Sequence, residues 1–176
     1  LGTPLGVFGG DPLAGPRLRD IPRDDTLREL DFHLPVLGGL VAGPGGGVVS
    51  AGRLAEVFRS NPGGAVPDDY WERVGDLKFE SFRGFLQGSI DLVFRWDPGD
   101  GRKRWYLLDY KSNYLKPDAE DASRYRDYAP DRLVEAMGHS HYFLQYHLYL
   151  VALHRFLSWR LPGYDWDRDI GGVYYA

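Results

Sequence analysis

Two aspartates and a lysine, Asp91, Asp109 and Lys111, stand where strand pairing would bring them together. Residues 88–96 read GSIDLVFRW and residues 104–113 read RWYLLDYKSN, two apolar, aromatic-rich runs separated by the turn-forming cluster DPGDGRK. That pattern predicts a β-hairpin with a loop longer than two residues. A turn centred near Asp100 sets the pairing by residue numbers that sum to about 200, which puts Asp91 opposite Asp109. Directly opposed residues of an antiparallel pair hold their Cβ atoms roughly 5 Å apart, where like charges repel. Lys111, two residues past Asp109, falls on the same face after a rise of roughly 6 to 7 Å. Two carboxylates and one amine therefore converge.

Carboxylate and backbone carbonyl oxygens suit a hard cation such as Mg2+, which keeps several waters and shares its shell with substrate phosphate. Such a cation lowers the pKa of a bound water and neutralises phosphate charge, while a lysine orients that water or stabilises transition-state charge. The chemistry is phosphodiester hydrolysis. The plainer alternative is a hairpin whose Asp and Lys face solvent as a cross-strand ion pair. Ile90, Leu92, Val93, Phe94, Leu107 and Leu108 argue against it: they make both faces apolar, as in a buried central strand, where unpaired charge is costly.

These residues also carry a family resemblance. Gly88-Ser89-Ile90-Asp91-Leu92, followed by Leu108-Asp109-Tyr110-Lys111-Ser112-Asn113, resembles the Asp…Asp-x-Lys core of the PD-(D/E)xK nucleases, specifically the nuclease domain of the RecB subunit of RecBCD helicase-nucleases (exodeoxyribonuclease V). The run from His141 to Tyr149, HYFLQYHLY, is similar to the same family's Gln-x-x-x-Tyr motif, with Gln145 and Tyr149 in the motif positions. The similarity extends from about Leu30 to the end of the chain. It implies an α/β, restriction-endonuclease-like core with a mixed central sheet flanked by helices. It further implies DNA cleavage with Mg2+, held by Asp91, Asp109 and the Tyr110 carbonyl. Lys111 would activate water or stabilise developing charge, and Gln145 and Tyr149 would line the cleft and position substrate. Implied partners are DNA, single-stranded at the site, and RecC-like and RecD-like subunits of a machine acting in double-strand break repair and recombination. ATP would bind only in a separate motor domain, and no Walker A loop lies in this chain. The family pattern also includes a metal-ligating histidine on a helix well before the first aspartate. The only earlier histidine, His33, sits in a strand-like stretch, so the matching residue is expected upstream of Leu1.

The elements that must position these groups follow from pattern. Residues 1–29, rich in Gly and Pro and without apolar period, read as an irregular lead-in or linker, and the nuclease domain is expected over residues 30–176. ELDFHLPV alternates as a strand ended by Pro35, and Gly38 to Gly47 reads as a flexible turn. GRLAEVFRS has Leu54, Val57 and Phe58 at helical spacing, and Pro67-Asp68-Asp69-Tyr70-Trp71 opens another helix. Phe79 to Leu86 leads into the hairpin as extended chain, with Gly84 and Gly88 placed for bulges, for close approach of substrate backbone, or simply for turns. Beyond the hairpin, Arg124, Tyr125, Arg126 and Tyr128 could hold phosphates and stack bases, although solvated surface is the commoner use of such residues. From Asp131 to Trp159 the apolar spacing predicts helix with a break near Gly138, and Gln145 and Tyr149 share one of its faces. His139, His141, His147 and His154 lie in this region at spacings of two, six and seven, not the i, i+4 pair of a zinc helix. The terminal GGVYYA is a β-type run without a stop signal, so the chain reads as a segment of a longer polypeptide.

Composition sets outer bounds. At 176 residues the chain suits one domain, and 43% hydrophobic with 15% aromatic content argues for a packed core over disorder. A net charge of -4 gives no general basic footprint, so any nucleic-acid affinity must come from a local cleft. The absence of cysteine excludes disulfides, thiolate metal sites and cysteine nucleophiles in this chain, and argues against the branch of the family that carries a cysteine-ligated iron-sulfur cluster. No apolar run reaches the roughly 20 residues of a membrane span. No charged signal-peptide head opens the chain, so a cytoplasmic location without membrane partners is expected. The rival of a different class is a catalytically inactive nuclease-fold module used for DNA binding or subunit docking. A restriction-type endonuclease would share the core chemistry but needs base-reading elements that the sequence does not identify.

Overall fold

The hairpin forms with the expected register. In the computed structural model, which describes Leu5 and residues 15–36, 49–78, 84–112, 115 and 128–176, β2 (Gly84–Trp96) pairs antiparallel with β3 (Arg104–Asp109). The partners run from Leu92 opposite Leu108 to Trp96 opposite Arg104. The turn between them is built by Asp97, whose Oδ1 accepts the N–H groups of Gly99, Asp100 and Gly101 at 2.8, 3.0 and 3.1 Å. Gly99 and Gly101 take φ of 109° and 79°, values that a side chain would strain.

β1 (Thr26–Val36) precedes β2 in the sheet, and β4 (Ile170–Tyr175) runs parallel to β3, giving the order β1-β2-β3-β4. The fold is α/β, a four-stranded mixed sheet flanked by helices, consistent with a restriction-endonuclease-like core. The Gly-Gly pair at the start of β4 has a packing reason. A Cβ on Gly171 would lie 2.1 Å from the Tyr106 ring, and the β3–β4 register slips by one residue at that point. β1 starts at Thr26, ahead of the expected ELDFHLPV, and continues through Pro35 to Val36.

The described residues form two compact units. The first comprises described residues up to Phe32, Gln87–Ser112 and Leu148–Ala176. One of its cores joins Leu92 and Phe94 to Tyr106 and Leu108, with Leu18, Ile21, Trp96 and Tyr174 packed around them. Phe94 and Tyr106, directly opposed in the ladder, stack with centroids 5.4 Å apart. Gly88 is close to an aromatic ring of the protein itself, since a Cβ there would sit 2.7 Å from Phe32 Cζ. Phe32 in turn meets the edge of Tyr149 at 5.8 Å.

In the same unit Asp25 is buried, 5% exposed, yet charged. Its Oδ1 accepts from Arg95 Nε at 2.9 Å and Nη2 at 2.5 Å, and its Oδ2 from Lys103 Nζ at 2.5 Å. The Lys103 ammonium holds the Asp25 carboxyl below its ordinary value; burial opposes this shift and the Arg95 guanidinium supports it. This bond set ties the lead-in, which otherwise contains two 3-10 turns at Leu18–Asp20 and Arg23–Asp25, to β2 and to the turn before β3.

The second unit contains described residues between His33 and Leu86 and between Asn113 and His147. Its core is Ala55, Tyr70, Val74 and Phe143. α1 (Ala51–Ser60) begins at Ser50, whose Oγ accepts the Arg53 N–H at 3.4 Å, and α2 (Tyr70–Gly75) is shorter than one amphipathic period pair. The helix expected from Asp131 divides into α3 (Pro130–His139) and α4 (Tyr142–Arg160). The break falls at His141, φ 53°, rather than at Gly138, which stays helical and buried. Tyr70 explains the position: its hydroxyl meets His141 Nδ1 at 3.2 Å and accepts the Leu144 N–H, an otherwise orphaned donor of the first turn of α4, at 3.3 Å. His147 Nδ1 donates to the Phe143 carbonyl at 2.6 Å, so the proton sits on Nδ1. Burial pushes the His147 pKa down, with the Phe143 bond opposing, and burial likewise lowers His141.

The turn expected at Gly38–Gly47, the Phe79–Arg83 part of the extended lead-in, and Arg124, Tyr125 and Arg126 lie outside the described residues. α5 (Trp166–Asp169) leads into β4, with the Asp165 carboxylate accepting the Arg168 N–H at 2.9 Å. Among the described residues, no helix is long and apolar enough to cross a membrane.

Two measurements test this packing. Asp25→Asn leaves two cations facing a weakened acceptor, and with both partners half-exposed the loss is about 1–3 kcal/mol, read as a lower thermal midpoint. The Asp25 contribution is present above the unfolded carboxylate value of about 3.9 and disappears as the pH falls below it. His147 acts in a different window: with its folded pKa lowered, stability declines as the pH drops through about 6.5, because the unfolded state takes the proton more readily. His147→Phe makes the dependence of urea stability between neutral and mildly acidic pH shallower, with the His141 contribution remaining.

Candidate active site

Alternation along paired strands decides which side each acid occupies. Val93 pairs with Leu107 on the face opposite the Leu92, Phe94, Tyr106 and Leu108 cluster. Asp91 lies two residues before Val93 and Asp109 two after Leu107, so both acids belong to the Val93/Leu107 face. The ladder ends there: the Tyr110 N–H donates to Asp91 Oδ2 at 2.8 Å. One oxygen of Asp91 is thereby fixed by the backbone of the residue whose carbonyl was expected to join it.

Asp109 is 3% exposed. Its Oδ2 contacts the Lys111 ammonium, whose side chain is 20% exposed, but no donor approaches that oxygen with hydrogen-bond geometry among the described residues. The strand beyond holds the pair in place: the Ala176 N–H donates to the Asp109 carbonyl at 3.1 Å, and the Lys111 N–H donates to the Ala176 carbonyl at 2.7 Å. The Tyr175 ring lies 5.4 Å from Lys111 Nζ, a cation-π contact. Asp109 and Lys111 are therefore positioned from both sides, by β2 and by the chain continuing β4.

A groove of about 580 Å³ opens beside this hairpin end, lined by Arg19, Arg23, Arg28, Glu29, Asp91 and Tyr110 together with Leu18, Ile21, Thr26 and Leu92. Glu29 has φ 51°, left-handed for a residue inside a strand. Sequence reasoning missed Glu29 and the three arginines, since nothing in the lead-in shows a period and a non-glycine left-handed residue leaves no sequence mark.

The donor set fits a hard divalent cation in kind: two carboxylates on one face, one of them buried with the Lys111 ammonium against it, plus a backbone carbonyl. The protein ligands are few. Among the described residues, no group of three or more His, Cys, Asp or Glu side chains is close enough to hold a metal, so waters and substrate oxygens would complete any shell. The structure thus brings Asp91, Asp109, Tyr110 and Lys111 together within the first unit. Gln145 and Tyr149 both lie on α4 and both are half-buried, Gln145 in the second unit and Tyr149 in the first. The Gln145 N–H donates to the His141 carbonyl at 3.0 Å, in the turn that starts α4.

No family model matches the chain. Curated proteins do. The chain is 43% identical over 176 residues to the RecBCD enzyme subunit RecB of Mycobacterium tuberculosis, a match covering 98% of this chain and 15% of that subunit. It is 41% identical over 181 residues to RecB of Mycolicibacterium smegmatis, again 98% of this chain and 15% of the relative. RecB of Escherichia coli K12 is 39% identical over 147 residues, 84% of this chain and 10% of the relative. The mycobacterial matches take in most of residues 1–29, so similarity is not confined to the part after Leu30. The chain spans about 15% of the length of the first curated relatives it matches, and across that span it belongs to the RecB family.

Proposed function

We propose that this chain is the metal-dependent nuclease segment of a RecBCD-type helicase-nuclease, a PD-(D/E)xK enzyme that hydrolyses DNA phosphodiester bonds during double-strand break repair and recombination. The observation that carries it is the shared face of Asp91 and Asp109, with the Lys111 ammonium against the buried Asp109 carboxylate. A scaffold that only docks or binds DNA has no need of that arrangement, whose burial is costly without a use. We assign the nuclease domain to residues 30–176, with residues 15–29 as a clamped lead-in.

Asp91, Asp109 and the Tyr110 carbonyl would hold Mg2+, which supplies an acidified water and charge neutralisation at the scissile phosphate. The roles of the side chains follow from their partners. The Tyr110 N–H engages one oxygen of Asp91 and so fixes the carboxylate at the end of the ladder. Lys111, contacting Asp109, stands beside the acids, placed to orient the attacking water or to stabilise the negative charge that grows on the phosphate oxygens as water adds and the P–O bond to the leaving sugar oxygen breaks. Gln145 and Tyr149 are assigned to the substrate strand by motif, and the Phe32 ring fixes one side of Tyr149. RecC-like and RecD-like subunits and DNA are the partners of this segment, with ATP used in a motor domain elsewhere in the parent protein and the complex working in the cytoplasm.

Mg2+-dependent cutting of a labelled single-stranded oligonucleotide tests the assignment. Asp109→Ala lowers the rate by at least about 10²-fold, as expected for loss of one electrostatic element of a hydrolytic site. Undiminished cutting by folded Asp109→Ala protein rejects it.

A further inference from the structure

We propose that Arg19, Arg23 and Arg28 form a phosphate-gripping wall that delivers a single polynucleotide strand to Asp91, an inference that takes its substrate class from the nuclease reading above. The chain carries a net charge of -4, yet its groove gathers three guanidinium groups against two carboxylates, Glu29 and Asp91. One of those carboxylates is already engaged by the Tyr110 N–H. Among the described residues, neither Arg23 nor Arg28 has an ion-pair partner, and Arg19 meets only the exposed Asp20 at 3.4 Å, a contact that a phosphate readily displaces. Guanidinium forks match phosphate oxygens two at a time, so arginine binds and orients a sugar-phosphate backbone better than a point charge does.

The other lining residues select for an unpaired strand. Tyr110 is half-exposed, and Leu18 and Ile21 add apolar surface to the groove. A duplex offers such a surface only phosphates and sugars, whereas a single strand also offers base faces that stack on an aromatic ring. The wall is built rather than incidental. Asp25, between Arg23 and Arg28, is clamped by Arg95 and Lys103, and the Thr26 hydroxyl donates to the Arg23 carbonyl at 2.8 Å, closing the turn. Consecutive strand residues normally face opposite sides, yet Arg28 and Glu29 both line the groove. Glu29 takes a left-handed φ of 51° at this point of β1, a local departure from regular strand geometry beside the groove.

Fluorescence anisotropy tests the wall, with the full 176-residue chain, an oligo-dT of about a dozen nucleotides, and EDTA to prevent cutting. Joint Arg23→Ala and Arg28→Ala substitution weakens binding by about tenfold or more at low salt and flattens the log-affinity against log-salt slope by about 1.4, or about 0.7 for each lost phosphate contact. Arg→Lys at both sites restores most of the slope, while Arg155→Ala with Arg160→Ala, the same charge removed from α4, leaves it unchanged. Circular dichroism confirms that the variants fold. Unchanged slope in the groove variant, equal loss in the α4 variant, or no oligonucleotide binding by the wild-type chain overturns the inference. Failure of the wall with Mg2+-dependent cutting intact rejects the wall alone. Arginine-dependent binding together with undiminished Mg2+-dependent cutting by folded Asp109→Ala protein supports the wall and rejects the nuclease reading.

Discussion

Because strand side chains alternate with a period of two, the pairing of Leu92 with Leu108 governs everything that happens at the end of the hairpin. A slip by one residue would turn Asp91 to the face of the Phe94–Tyr106 stack and separate it from Asp109. The Asp97 turn, with three backbone donors on one carboxylate oxygen, and the opposed aromatic pair hold that register from one end. At the other end the Tyr110 N–H on Asp91 and the Ala176 bonds to Asp109 and Lys111 hold it again. Charged side chains in such a position are stabilised by the surrounding frame, not by their own burial.

The lead-in is organised by a second electrostatic constraint, the carboxylate of Asp25 shared between Arg95 and Lys103. One cation comes from β2 and the other from the turn before β3, so the clamp ties the lead-in to both ends of the hairpin turn. The consequence is local rigidity where the sequence shows none: the 3-10 turns and the first residues of β1 become one wall of the groove that contains Asp91 and Tyr110.

What was legible in the sequence was local and periodic. The Asp-Pro-Gly-Asp-Gly cluster between two β-prone runs fixed the hairpin and its register, and with them the common face of Asp91, Asp109 and Lys111. Helical spacing fixed α1 and the α3–α4 region, and Gly-Gly-Val-Tyr-Tyr fixed β4. The rest depended on contacts distant in sequence. The α3–α4 break moved from Gly138 to His141 because Tyr70, seventy-one residues before His141, places its hydroxyl at that turn. The room at Gly88 is filled by the ring of Phe32, a residue far away in sequence. Arg23, Arg28 and Glu29 could not be recognised as groove residues, since a left-handed glutamate and a long-range ion pair at Asp25 leave no periodic trace.

The central claim is that Asp91 and Asp109 serve one divalent ion. Anomalous scattering from crystals soaked in Mn2+, a Mg2+ substitute with a usable signal, addresses it most directly. The account predicts one strong peak bonded to a carboxylate oxygen of each aspartate and to the Tyr110 carbonyl oxygen. A peak held by other residues, or two aspartates that bind no ion in common, would contradict it.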